Sequence, residues 1–274
     1  MDKNNVNFIK VTIFYFSGTG NTAWAVNKLA DKLGKLNYKV KLMSCEYECN
    51  ISLEIDSCDI VGLAFPIHSS FAPSLFQNFF EKLPACRGKA LIALTTAAMT
   101  AGDVLWHELK KLRNRGYIPL VFSNIIIGNN MHLPLLSPIP VTKSDRLRKN
   151  LEKADKKIDK MVNYIIENTK HIEGTNIFGR LLGITQRSIA EKFESLAFKG
   201  FYADESCIKC GWCVNNCPVK NIQKDVGGVK FLNNCMLCMR CYSFCPNQSI
   251  QLTEKTKDTK RYERYKGPKE LEHG

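Results

Sequence analysis

The run Cys207-Ile208-Lys209-Cys210-Gly211-Trp212-Cys213-Val214-Asn215-Asn216-Cys217-Pro218 is repeated 28 residues on as Cys235-Met236-Leu237-Cys238-Met239-Arg240-Cys241-Tyr242-Ser243-Phe244-Cys245-Pro246. These runs hold eight of the 12 cysteines, and the same offset carries Ile222 onto Ile250. That is an internal duplication of one small unit. Three thiolates at every third residue suit three corners of an iron–sulfur cube, the fourth corner coming from elsewhere in the chain. Zinc is the competing use of Cys-x-x-Cys pairs, but it takes its ligands two and two and has no use for a third cysteine three residues on. Disulfides fit less well still. Nothing at the N-terminus resembles a signal peptide, so a cytoplasmic location with reduced thiols is expected.

In both spacings and both prolines, residues 201–254 resemble the bacterial two-[4Fe-4S] ferredoxins. The resemblance implies that the fourth cysteine of each run ligates the other run's cluster. One cluster would then take Cys207, Cys210, Cys213 and Cys245, and the other Cys235, Cys238, Cys241 and Cys217. A unit of about 50 residues seldom holds together by apolar burial alone, so the clusters are expected to staple it.

At the other end of the chain, Phe8 to Phe16 is rich in β-branched and aromatic side chains and predicts a buried parallel strand. Ser17-Gly18-Thr19-Gly20-Asn21-Thr22 follows at once, and then Ala25, Val26, Leu29, Ala30 and Leu33 line one face of a helix. A strand, a glycine-hydroxyl turn and a helix N-terminus make a phosphate site, because free N–H groups and the helix dipole both favour an anion. A Walker A loop needs a lysine at its end, and none occurs before Lys28. The dinucleotide fingerprint is nominally present as Gly18-x-Gly20-x-x-Ala23, with Glu46 loosely where a ribose-binding acid lies, which is a weak match. The hydroxyls favour a third reading. Ser-x-Thr-Gly-Asn-Thr directly after a first strand resembles the phosphate loop of flavodoxins, which implies FMN held by Ser17, Gly18, Thr19, Gly20, Asn21 and Thr22.

The pattern continues as strands over Tyr38 to Met43, Asp59 to Phe65, Ala90 to Thr95 and Tyr117 to Ile127, with helical segments over Pro73 to Leu83 and Gly102 to Arg115. This alternation predicts an α/β, doubly wound, five-stranded parallel sheet of flavodoxin-like type, with ligands at the carboxyl ends of its strands. The resemblance implies two ring-holding loops, Ala64 to Phe71 with Phe65, Pro66 and His68, and Thr95 to Gly102 with Thr95, Thr96 and Gly102. Phe65, His68 and Phe71 are the candidates to stack on the ring. Trp24 and Trp106 fall within helices and suit core packing, while Met99 and His132 suit plain loop positions.

Leu147, Leu151, Ala154, Ile158, Met161 and Ile165 form the apolar stripe of a further helix, taken as the last of the first domain. The expected organisation is a flavodoxin-like domain over 1–170, a helical connector over 171–200, a ferredoxin domain over 201–254 and a charged, disordered tail over 255–274. Ile189, Phe193, Leu196 and Ala197 give the connector a face that can dock the domains together. The formal charge of +13 falls to about +7 once two clusters and a flavin phosphate are counted. No basic stretch interleaves aromatics as a nucleic-acid module does, and no apolar run suggests a membrane span. Cys45, Cys49, Cys58 and Cys86 have no ligand spacing and read as free thiols.

Taken together, the chain resembles the flavodoxin-ferredoxin fusion proteins of anaerobes, with His68 where an aromatic such as tyrosine is more usual in that family. The implied function is electron transport between FMN and two [4Fe-4S] clusters, to or from a redox partner protein or small acceptor. An FMN-dependent reductase of quinones or nitro compounds, fed through the clusters, is the enzymatic alternative. A non-catalytic iron–sulfur sensor is the third.

Overall fold

The computed structural model describes residues 8–68, 71–134, 138–175, 177, 179–181, 183–185, 187 and 200–268. Five parallel strands form the N-terminal sheet: β1 (Ile9–Tyr15), β2 (Tyr38–Ser44), β3 (Ile60–Pro66), β4 (Lys89–Ala97) and β5 (Tyr117–Ile126). A short sixth strand, β6 (His171–Ile172), pairs in parallel with Val121 and Phe122 of β5. The order is β2-β1-β3-β4-β5-β6, in which the first five strands follow the 2-1-3-4-5 order of the flavodoxin-like fold. The sixth strand is an addition to the five expected, and it lies in the segment expected to be a helical connector.

Because side chains alternate along a strand, each strand feeds two cores. Val11 and Ile13 of β1, Ile92 and Leu94 of β4, and Val121 and Ile125 of β5 join α1 (Asn21–Gly34) and α5 (Ser144–Ile166) on one face. Phe14, Val61, Leu63, Phe65, Leu91 and Phe122 face the other way, toward α2 (Ile51–Asp56), α3 (Ser74–Lys82) and α4 (Val104–Leu109). Phe65, Phe76 and Phe80 pack there ring against ring at 4.9 to 5.6 Å. The stripe of α5 is buried as its spacing requires. Of the connector, the described residues between 177 and 187 are helical, and Arg187 grips Asp103 with two hydrogen bonds of 2.6 and 3.2 Å. The docking face at Ile189, Phe193, Leu196 and Ala197 lies outside the described residues.

The C-terminal unit carries the duplication into three dimensions. β7 (Tyr202–Ala203) pairs antiparallel with β10 (Ile250–Gln251), and β8 (Ile222–Asp225) with β9 (Gly228–Phe231). The pairs Ile250↔Ala203 and Ile222↔Phe231 are related by the 28-residue offset. Short helices α6 (Trp212–Asn215) and α7 (Arg240–Phe244) follow the same relation. So does the backbone: Lys209 and Leu237, Gly211 and Met239, and Lys220 and Gln248 are all left-handed, with φ between 51° and 75°. Left-handed conformations are costly for residues with a Cβ, and the cost is repeated at matching positions of the two copies.

Residues 255–268 are folded, against the expectation of a disordered tail. A 3-10 turn over Glu254–Lys257 is capped reciprocally by Thr253 and Thr256. The chain then crosses both units as a strap. Tyr262 packs on His132 at 4.8 Å, Arg264 lies over the Tyr242 ring, and Tyr265, 1% exposed, donates to Asn21 Oδ1 at 2.6 Å. A mean composition dominated by charge hides these few anchors, which are enough to order a segment laid on an existing surface.

Candidate functional site

The phosphate loop leaves β1 at the carboxyl edge of the sheet and turns into α1 at Gly20, whose φ of 101° is left-handed. The N–H groups of Gly18, Thr19, Gly20, Asn21 and Thr22 donate to no protein acceptor among the described residues. Five consecutive free donors at the N-terminus of a 14-residue helix fit a phosphate group. The loop's side chains brace it instead. Ser17 Oγ accepts from Ala23 N at 3.1 Å, Thr22 Oγ1 meets Thr96 Oγ1 at 2.7 Å, and Asn130 Nδ2 donates to Thr19 Oγ1 at 2.9 Å. Asn21 donates to Gly128 O while accepting from Tyr265.

The ring-loop candidates separate into two groups. Phe65 is fully buried among Phe76 and Phe80, so it is a core residue and not a stacking partner. Thr95 spends its hydroxyl on Asn124 Oδ1 at 2.7 Å within the sheet, and Gly102, with φ 54°, packs against the backbone of Gly183. Phe65 and Thr95 thus have their side chains committed within the domain. Pro66, at the end of β3, is half-buried, as is Phe71, and Thr96 reaches the phosphate loop through Thr22. His68 is half-buried and hydrogen-bonds the Met236 backbone; burial pushes its imidazole down to about 4. Met99 is exposed, and Trp24 packs on the α1 side of the core with Lys28 over its ring.

Several thiols of the two runs act on one another. Burial, helped by Cys245 and Cys207, pushes the Cys213 thiol up to about 11. Cys241 is raised well above its ordinary value by burial and then by Cys238, Cys235, Cys217 and Cys213. Cys235 is raised by burial and by Cys217, and Cys238 is pushed up to about 12 by burial despite the opposing Arg240. Cys213 thus senses Cys245 and Cys207, and Cys241 senses Cys238, Cys235, Cys217 and Cys213, although among the described residues no group of three or more such side chains converges as a metal site. Buried thiols of this kind hold their protons unless a cation replaces them. Backbone donors aim at the sulfurs in matching places: Asn221 N to Cys217 Sγ at 3.2 Å and Ser249 N to Cys245 Sγ at 3.3 Å.

The two sites share a joint. Gly18 lies so close to the Cys238 carbonyl oxygen that a Cβ there would collide with it. Arg240 donates to Ser17 O at 2.8 Å and Gly18 O at 3.1 Å, and its guanidinium clasps Glu46 through two bonds of 2.6 and 2.7 Å. Met236 and Cys238 belong to the same apolar core as Phe14 and Phe65. On the far side, Gly267 passes so close to Thr19 O that a side chain there would collide with it, and Pro268 flanks Gly20. The second cysteine run is thus seated on the phosphate loop. The first run faces outward, with Cys210 exposed and Ile208 63% exposed.

Sequence reasoning missed Arg240, Asn130 and the strap. Arg240 left a signal, because it stands where the first copy has Trp212. Gly128-Asn129-Asn130, directly after the fifth strand, left a weaker one. Glu46, placed loosely as a ribose acid, is instead the partner of Arg240. Trp106 lines a surface cleft with Asp103, Lys110 and Arg187 instead of being sealed in the core. Among the described residues no helix is long and apolar enough to cross a membrane.

A family model for a 4Fe-4S binding domain matches residues 202–223, which contain the first cysteine run. No curated protein matches the chain. Similar solved structures include a flavodoxin from the domain Archaea, 13% identical, covering 58% of this chain and 99% of that one with a TM-score of 0.40. The two-electron reduced flavodoxin of Megasphaera elsdenii is 22% identical over 53% of this chain and 98% of its own, with a TM-score of 0.39. Oxidised flavodoxin 1 of Bacillus cereus is 15% identical over 56% and 97%, with a TM-score of 0.40. The strand order of the sheet, and not these scores, makes the N-terminal fold flavodoxin-like.

Proposed function

We propose that this chain is an electron carrier that relays electrons between an FMN at the phosphate loop and two [4Fe-4S] clusters on the eight cysteines, and exchanges them with a separate redox partner. The observation that carries this reading is the joint: Cys238 and Arg240 of the second cysteine run lie directly on Ser17 and Gly18. When bound, a flavin passes one or two electrons and a cluster passes one, so the pair converts between the two kinds of chemistry.

The chain's own groups do the rest. The N–H groups of Gly18 to Thr22 receive the phosphate, and the braced hydroxyls of Thr19 and Thr22 keep the loop's shape. Arg240 holds the second run against the loop so that no diffusional encounter is needed within the chain. The outward first run, with Cys210 and the apolar side chains of Ile208 and Val226 at the surface, is where an external partner gains access.

Anaerobic purification should give about eight irons per chain, from two clusters, together with one FMN. Rapid reduction of the clusters should then bleach the flavin at a rate independent of protein concentration. A rate that scales with concentration would remove the relay, and a chain reconstituted with zinc and no iron would remove the clusters.

A further inference from the structure

Three arginines of the described chain are largely buried, and two of them have carboxylate partners. Arg187 pairs with Asp103, and Arg240 with Glu46. Arg264, on the C-terminal strap, is 9% exposed and makes no ion pair among the described residues. Its Nη2 donates to Gln248 O at 3.3 Å, Ile250 O at 3.0 Å and Gln251 Oε1 at 3.0 Å, all neutral acceptors. Its Nε and Nη1 are buried without a hydrogen-bond partner. The guanidinium lies 3.3 Å above the centre of the Tyr242 ring, and Tyr242 follows Cys241 directly in α7.

A guanidinium stays charged in a protein, and a buried charge with no counter-charge is costly enough that structures rarely keep one. Burial works against the charge on Arg264, and the carboxylate that acts in its favour is Asp204. That carboxylate does not touch it. An oxidised cubane with four thiolates carries about two negative charges, and reduction by one electron adds a third.

We infer that Arg264 is the buried counter-charge of the iron–sulfur centre ligated through Cys241, so that the strap raises the reduction potential of that centre. This rests on the two-cluster reading. The cation favours the form with the extra electron, because the added negative charge lies in the same low-dielectric interior as the guanidinium. Arg240 cannot do the same at full strength, since Glu46 already neutralises it. The strap thereby ties the potential of the cluster beside the phosphate loop to a segment that also holds Asn21 through Tyr265.

The test is a redox titration of the full iron-loaded chain with dithionite as reductant, followed by electron paramagnetic resonance, on wild type, R264Q, R264K and R261Q. Wild-type iron, sulfide and two reducible signals must be present first; their absence would sink the two-cluster reading itself. R264Q should lower the potential of one cluster and leave the other and the flavin nearly in place. R264K should stay close to wild type, because it keeps the charge while losing the planar stack. R261Q removes the same charge from an exposed neighbouring position, where solvent screens it, and should shift nothing. Iron-replete R264Q with unchanged potentials overturns the inference, as does an equal shift in both clusters. If R264Q loses its iron, R264K decides: a wild-type potential supports the charge role, and loss of iron there too assigns Arg264 to packing alone.

Discussion

Replacing Arg240 by alanine tests the joint on which the proposed relay depends. The change removes two bonds to Glu46 at 2.6 and 2.7 Å, and others to Ser17 O, Gly18 O and Asn216 O at 2.8, 3.1 and 3.1 Å. Breaking one side of a fully buried ion pair costs about 3–5 kcal/mol. Here the two side chains keep 16% and 17% of their exposure, and solvent screening brings the expected loss to about 2–3 kcal/mol. At about 1.4 kcal/mol per decade, the docking equilibrium should shift by roughly 30- to 150-fold. Hydrogen exchange over residues 17–22 and 236–240 should accelerate accordingly, and flavin reduction after a pulse should slow and become heterogeneous. A double-mutant cycle with E46Q isolates the pair, because removing both partners should cost less than the sum of the single losses. Unchanged exchange in R240A, or strict additivity in the cycle, would refute the argument.

Gly18→Ala places a methyl group into the Cys238 carbonyl, so it should loosen the joint by about 1–3 kcal/mol through overpacking, seen as faster exchange at residues 236–240 with FMN still bound. Removing the hydroxyls of Thr19 and Thr22 together unbraces the loop at Asn130 and Thr96; with each lost neutral bond worth about 0.5–1.5 kcal/mol, FMN affinity measured by fluorescence quenching should fall by roughly 5- to 150-fold, and wild-type affinity would move the phosphate elsewhere. His68 gives a pH signature. Its folded value of about 4 lies below its ordinary 6.5, so above pH 6.5 it contributes nothing. Between 6.5 and 4 the unfolded chain takes a proton that the folded chain refuses, and stability falls by up to about 3 kcal/mol. Denaturation of H68Q should lack that share of the acid loss.

Several elements were legible because short windows encode them. The stripe Leu147 to Ile165 is buried as spaced, and Phe8 to Phe16 contains β1. The free donors of residues 18–22 stand where the glycine-hydroxyl turn required. Other positions misled for physical reasons. Phe65 looked like a ring partner because it ends a strand at the ligand edge, but alternation along β3 turns it into the phenylalanine core. Thr95 is turned inward by the same alternation. The two-residue strand at His171 has too little pattern to announce itself, and it forms because β5 offers an open edge.

The sequence alone determined the chemistry that each half of this chain can do. Cysteines at every third residue, a proline after the fourth and a hydroxyl-rich turn after an apolar strand are local patterns, and local geometry follows from them. Which half faces which was decided only in the folded molecule. Arg240 and Glu46 are 194 residues apart, and Tyr265 and Asn21 are 244 apart. A charge or a hydroxyl carries no mark of its partner until the two surfaces meet. The joint exists because Gly18 leaves room for a carbonyl and Arg240 finds two more beside it. The strap is ordered for the same reason: Tyr262, Arg264 and Tyr265 are ordinary tail residues until two docked domains give them a surface to bind.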